Sequence, residues 1–96
     1  MLPCKFNFKL IQVRARVVQE TNWDGWTKLS QELSRERAKA SGRETCVLDY
    51  GISVAQGFLK NADAAYDYAQ KAMTCGIRSP ILERNLTRTE FNAAKT

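Results

Sequence analysis

The sequence predicts a mainly α-helical, compact single domain of about four helices, with a small α+β arrangement as the variant. Three observations carry this. Apolar residues recur at three- and four-residue spacing between residues 22 and 75, as amphipathic helices require. Residues that start or stop helices stand between those stretches: Gly42, Asn61, Gly76 and Ser79-Pro80. The chain has 96 residues, too few for two separate cores, so 1–96 reads as one domain.

The N-terminal segment 5–18 fits two structures. Phe6, Phe8 and Leu10 alternate with Lys5, Asn7 and Lys9, and then Ile11, Val13, Ala15 and Val17 take over the apolar set. That is an edge strand with a bulge near Leu10 and Ile11, slightly favoured by its β-branched and aromatic content. Phe6, Leu10, Val13 and Val17 also share one helical face, so a further helix is the alternative. A lone strand needs a partner, from Cys46-Val47-Leu48 or from a second copy in a homodimer.

Residues 22–40 read as a helix, with Thr21 and Asp24 at capping-box spacing and Trp26, Leu29 and Leu33 as a narrow apolar stripe. Gly42 is expected to end it. Residues 44–59 are apolar on most sides and read as a central buried helix, with Val47, Val54 and Phe58 in the core. Gly51 and Gly57 would weaken it and admit a close neighbour. Residues 62–75 are the clearest helix, capped by Asn61 and stopped by Gly76, with Ala65 and Ala69 on its inner face. Ser79 and Pro80 start another helix, Thr87 with Glu90 could restart it, and residues 92–96 read as a frayed tail.

Composition excludes more than it selects. The chain has no His, which removes the usual general base near neutral pH and the commonest zinc ligand. Cys4, Cys46 and Cys75 form no Cys-x-x-Cys pair, so no structural zinc is expected. An odd cysteine count with no apolar leader points to reduced thiols in a cytoplasmic protein, with Cys46 and Cys75 as small core residues. No phosphate-cradling glycine loop is present, and no apolar run is long enough to cross a bilayer. The carboxylate pairs Asp63/Asp67 and Glu32/Glu36 read as solvated faces, and Asn85-Leu86-Thr87 matches a glycosylation sequon without secretion to use it. An enzyme is the least supported class, and no cofactor is expected.

The net charge is +5 and unevenly placed. Residues 1–43 carry nine basic side chains against four acidic ones, residues 44–76 are mildly acidic, and residues 77–96 are again basic. Such a surface suits nucleic acid or an acidic protein surface.

One stretch carries a recognisable pattern. Ala72 is small where two helices would touch, and Gly76 tolerates positive φ in a turn four positions later. Ile77 is apolar after the turn, and Leu82 and Leu86 would bury the inner face of a second helix. In this pattern residues 72–88 resemble a DNA-binding helix-turn-helix. The resemblance implies that Arg78, Arg84, Thr87 and Arg88 meet nucleic acid, although Glu83 would face an anionic groove. Lys5, Lys9, Arg14 and Arg16 are candidate phosphate contacts, and Trp23 and Trp26 are candidate partner contacts. The sequence thus points first to a small basic non-enzymatic DNA-binding protein. The alternative is a phage- or mobile-element-type modulator or inhibitor that docks on a larger nucleic-acid-processing enzyme.

Overall fold

The computed structural model describes residues 5–19 and 22–86, by backbone alone at 5–8 and 18. The fold is mainly α: helices α1 (Lys5–Gln19), α2 (Trp23–Lys39), α3 (Arg43–Phe58) and α4 (Ala62–Met73), then α5 over residues 80–86. No strand occurs among the described residues. α3 packs against α1, α2 and α4 and is the axis of the bundle.

The strand reading of segment 5–18 is corrected, and its helical alternative holds. Val13 and Val17, four apart, are both buried. Ile11 is 66% exposed, although strand alternation would put it on the same face as Val13. A helix satisfies its own backbone groups, whereas an isolated strand leaves them unpaired. Two alternating runs of opposite parity therefore resolve as one helical stripe.

α2 buries Trp26, Leu29 and Leu33 as the spacing requires. Its cap is Asn22 and not Thr21, which lies outside the described residues: the Asn22 side chain accepts from the Gly25 amide at 2.7 Å. Gly42 does adopt positive φ, at 62°, but it stands at the start of α3 while Ala40 closes α2. Two of those connecting residues thus serve opposite helices. Asn61 precedes α4 without a side-chain cap, and its amide donates to Gln56 Oε1 at 2.7 Å instead.

α3 is buried without interruption from Val47 to Ala55. Gly51 makes this geometry feasible. A Cβ there would lie 2.7 Å from Leu33 Cδ1 and 2.8 Å from Val13 Cγ1, so the glycine is where α1 and α2 close on α3. Phe58 departs from expectation: it is 49% exposed, one turn beyond the enclosed part of α3.

The reduced-thiol expectation is also corrected. Cys46 and Cys75 form a disulfide across 29 residues, with Cα atoms 6.2 Å apart. Twenty-nine residues of helix, turn and helix bring the start of α3 beside the end of α4, a proximity that cysteine spacing alone cannot show. Closing a loop of that length in the unfolded chain removes entropy equivalent to about 3–4 kcal/mol.

Two measurements check this account. Cys46→Ser, or reductant on the wild type, should lower the denaturant-unfolding free energy by about 2–4 kcal/mol. Gly51→Ala should cost about 1–3 kcal/mol despite its better helix propensity, because stiff Val13 and enclosed Leu33 have nowhere to move. A neutral or stabilising Gly51→Ala would show that the core has slack there.

Candidate nucleic-acid interface

The segment from α4 to α5 is built from its caps inward. Thr74 closes α4, its hydroxyl donating to the Lys71 carbonyl at 2.6 Å. The Cys75 amide reaches back to Ala72 O and the Gly76 amide to Met73 O, at 3.2 and 3.0 Å. Gly76 then turns the chain at φ 84°, the left-handed conformation that a side chain disfavours. Ser79 starts α5: its hydroxyl accepts from the Ile81 amide at 3.3 Å and its carbonyl from the Glu83 amide at 3.1 Å.

The inner side is closed as the resemblance implies. Ala72, Ile77 and Leu82 are buried, and Leu86 packs partly against the core. The outer side leaves Arg78, Glu83 and Arg84 exposed. Thr87 and Arg88 lie outside the described residues. The connection differs from a helix-turn-helix in length: residues 74–79 separate the two helices, against about three or four in that motif.

Asn85 is the residue that sequence reasoning missed. It is 3% exposed, so the sequon asparagine is inside the fold. Its Nδ2 donates to Ser53 O at 3.2 Å and Ser53 Oγ at 3.1 Å, while the Ser53 hydroxyl donates to Ala65 O at 2.7 Å. This polar chain ties α5 to α3 and α4. Gly57 allows it, since a Cβ there would lie 2.7 Å from Asn85 Oδ1. The signal in the sequence was the glycine, already read as a place of close approach; its partner had no signal.

The basic N-terminal segment is mostly engaged within the fold. Lys9 Nζ bonds Glu36 at 3.0 Å, and Arg16 bonds Glu36 and Glu32 at 2.8 and 3.3 Å. These two cations hold α1 on α2 and are not free phosphate contacts. Arg14 is exposed, and the Lys5 side chain lies outside the described part. Burial alone would raise the Glu36 carboxyl, but hydrogen bonds from Arg16 and Lys9 outweigh it and hold Glu36 below its ordinary value. Arg37 bonds the buried Asp49, which raises the arginine above its ordinary value. Its guanidinium also stands 5.9 Å from the centre of the Tyr68 ring, with Lys71 Nζ 4.8 Å from the same ring.

The tryptophans separate. Trp26 is 7% exposed and stacks on Phe58, with ring centroids 4.6 Å apart and planes within 7°. Trp23 is 56% exposed. Beside Phe58, a cleft is lined by Val54, Gly57, Ile81, Arg84 and Asn85. No cluster of three metal-ligating side chains occurs among the described residues, and no helix there is long and apolar enough to cross a membrane.

Comparison with known protein families, curated proteins and solved structures finds no match to this chain.

The acid limb of stability is predicted from Glu36. Its lowered pKa means that the α1–α2 ion pairs contribute fully above the ordinary value of 4.5 and are lost as pH falls through the folded value. Thermal melts across that window should show the wild type losing stability with falling pH. Glu36→Gln should melt lower at neutral pH and show a shallower acid limb. An unchanged limb would assign the acid loss to other carboxylates.

Proposed function

We propose that this protein binds nucleic acid through α4, the turn at residues 74–79 and α5, with no catalytic chemistry of its own. One observation carries the reading. Arg78 and Arg84 are exposed, with no ion-pair partner among the described residues, on the outer side of a unit whose inner side is fixed by Ala72, Ile77, Leu82 and Asn85. Unpaired guanidiniums on a rigid support suit phosphate, which they grip in two-point geometry at little ordering cost. Lys9, Arg16 and Arg37, by contrast, are engaged with carboxylates of the chain itself. Two cations of the N-terminal segment are thus taken up within the fold, while Arg14 stays exposed, like the C-terminal pair, as a candidate contact. The long connection and Glu83 beside Arg84 favour backbone recognition over reading of base edges in a duplex groove.

Trp23 supports a second reading, in which the protein is a small phage-type modulator docking on a nucleic-acid-processing enzyme. Trp23 is exposed, and tryptophan is one of the residue types enriched among interface anchors. The cytoplasm is the proposed compartment for both readings.

Arg78→Ala and Arg84→Ala decide between them. Both should fold like the wild type, since both side chains are exposed. If the nucleic-acid reading holds, each should weaken binding to oligonucleotides of any sequence and reduce the salt slope by about one unit. If no salt-sensitive binding appears near micromolar protein while Trp23→Ala abolishes capture of a host enzyme, the docking reading takes first place.

A further inference from the structure

Phe58 is a planar ring with one face used and the other available. Its stacking partner Trp26 lies parallel at 4.6 Å and is itself 7% exposed, whereas Phe58 is 49% exposed. The indole covers one face of the phenyl ring, so the exposure belongs to its other face and edge. Among the described residues, the cleft beside the ring has Ile81 and Val54 as apolar wall and Arg84 as its one cation, and no carboxylate lines it. Among the described residues, this cleft combines a half-exposed aromatic ring with an unpaired arginine on the nucleic-acid face proposed above.

We infer that Phe58 and Arg84 form a nucleotide subsite in which an unpaired base stacks on the Phe58 ring while Arg84 holds the adjoining phosphate, so that the preferred ligand is single-stranded nucleic acid. The inference rests on the nucleic-acid reading and specifies its ligand. Charge complementarity selects the occupant: an anionic chain with flat apolar bases matches an aromatic floor beside a guanidinium. An acidic peptide would satisfy Arg84 but would leave the flat ring without a matching surface. A duplex would satisfy Arg84 too, but its bases are paired within the stack and cannot lie on a ring set into the protein. The support is rigid. Trp26 backs the ring, and Asn85 is hydrogen-bonded to Ser53 immediately beside Arg84 in α5. Little ordering is then needed on binding.

The test uses the full chain and a dye-labelled oligothymidylate about twelve nucleotides long, within the range such sites occupy. An abasic strand of equal length and a duplex of equal length are the comparators, read by fluorescence anisotropy at two salt concentrations. The oligothymidylate should bind about ten-fold tighter than the abasic strand. Phe58→Ala should erase that difference, Phe58→Trp should keep it, and Arg84→Ala should weaken binding to all three ligands. Where Phe58→Ala does not melt cooperatively, the abasic comparison on the wild type decides alone. Equal binding of thymidylate and abasic strands, or equal competition by polyglutamate, overturns the subsite. Salt-sensitive binding weakened by Arg84→Ala would in that case leave the broader nucleic-acid function standing. Absence of salt-sensitive binding to every strand overturns both.

Discussion

A helix with no solvent-facing side must be enclosed by everything else in the chain. α3 is such a helix from Val47 to Ala55, and the rest of the fold answers its demands. Its apolar residues draw α1, α2 and α4 around it. Its polar residues are more demanding, because Asp49 and Ser53 are as buried as their neighbours. An unpaired carboxylate there would cost several kcal/mol. Arg37 from α2 answers Asp49, and Asn85 from α5 answers Ser53. The polar groups of the central helix thus fix where two other helices can sit. Apolar contact alone would tolerate more than one arrangement.

The same demand positions the candidate interface. Asn85 turns inward to Ser53, and its chain neighbour Arg84 is directed outward. Ile77 and Leu82 hold the connection and α5 to the core, which leaves Arg78 exposed between them. Phe58 lies one turn past the enclosed part of α3, at the place where α5 passes by. The cleft follows from two helices that meet without filling the gap between them.

How much of this is legible in the sequence depends on whether the cause is local. The stripes of α2 and α4, the turn at Gly76 and the start of α5 at Ser79 follow from spacing and cap chemistry within a few residues, and they read correctly. Segment 5–18 was ambiguous because its apolar residues satisfy periods of two and of four at once; only the missing strand partner decides it. The Cys46–Cys75 bridge, the Lys9 and Arg16 pairs and the Asn85 network each join residues at least twelve apart, where composition carries no signal. Those long-range pairs also reassign function. They withdraw Lys9 and Arg16 from a binding surface, and they give Asn85, which has no role in the sequence reading, that of a buried strut. Helical spacing puts Phe58 on the core face, yet it is 49% exposed. Periodicity gives the face of a helix but not the point along its axis where its neighbours stop covering it.

The cystine has a mechanical meaning as well as a thermodynamic one. It closes α3 and α4 into a covalent ring whose points of entrance and exit are 6.2 Å apart at the Cα atoms. Tension applied to the chain on either side of that ring passes through the sulfur–sulfur bond and bypasses both helices. Under load, α1 and α2 on one side and α5 on the other would peel away as separate arms. The α3–α4 pair would stay intact between them as an unstretched knot of structure, and a cut in the backbone anywhere inside the ring would leave both arms still tethered.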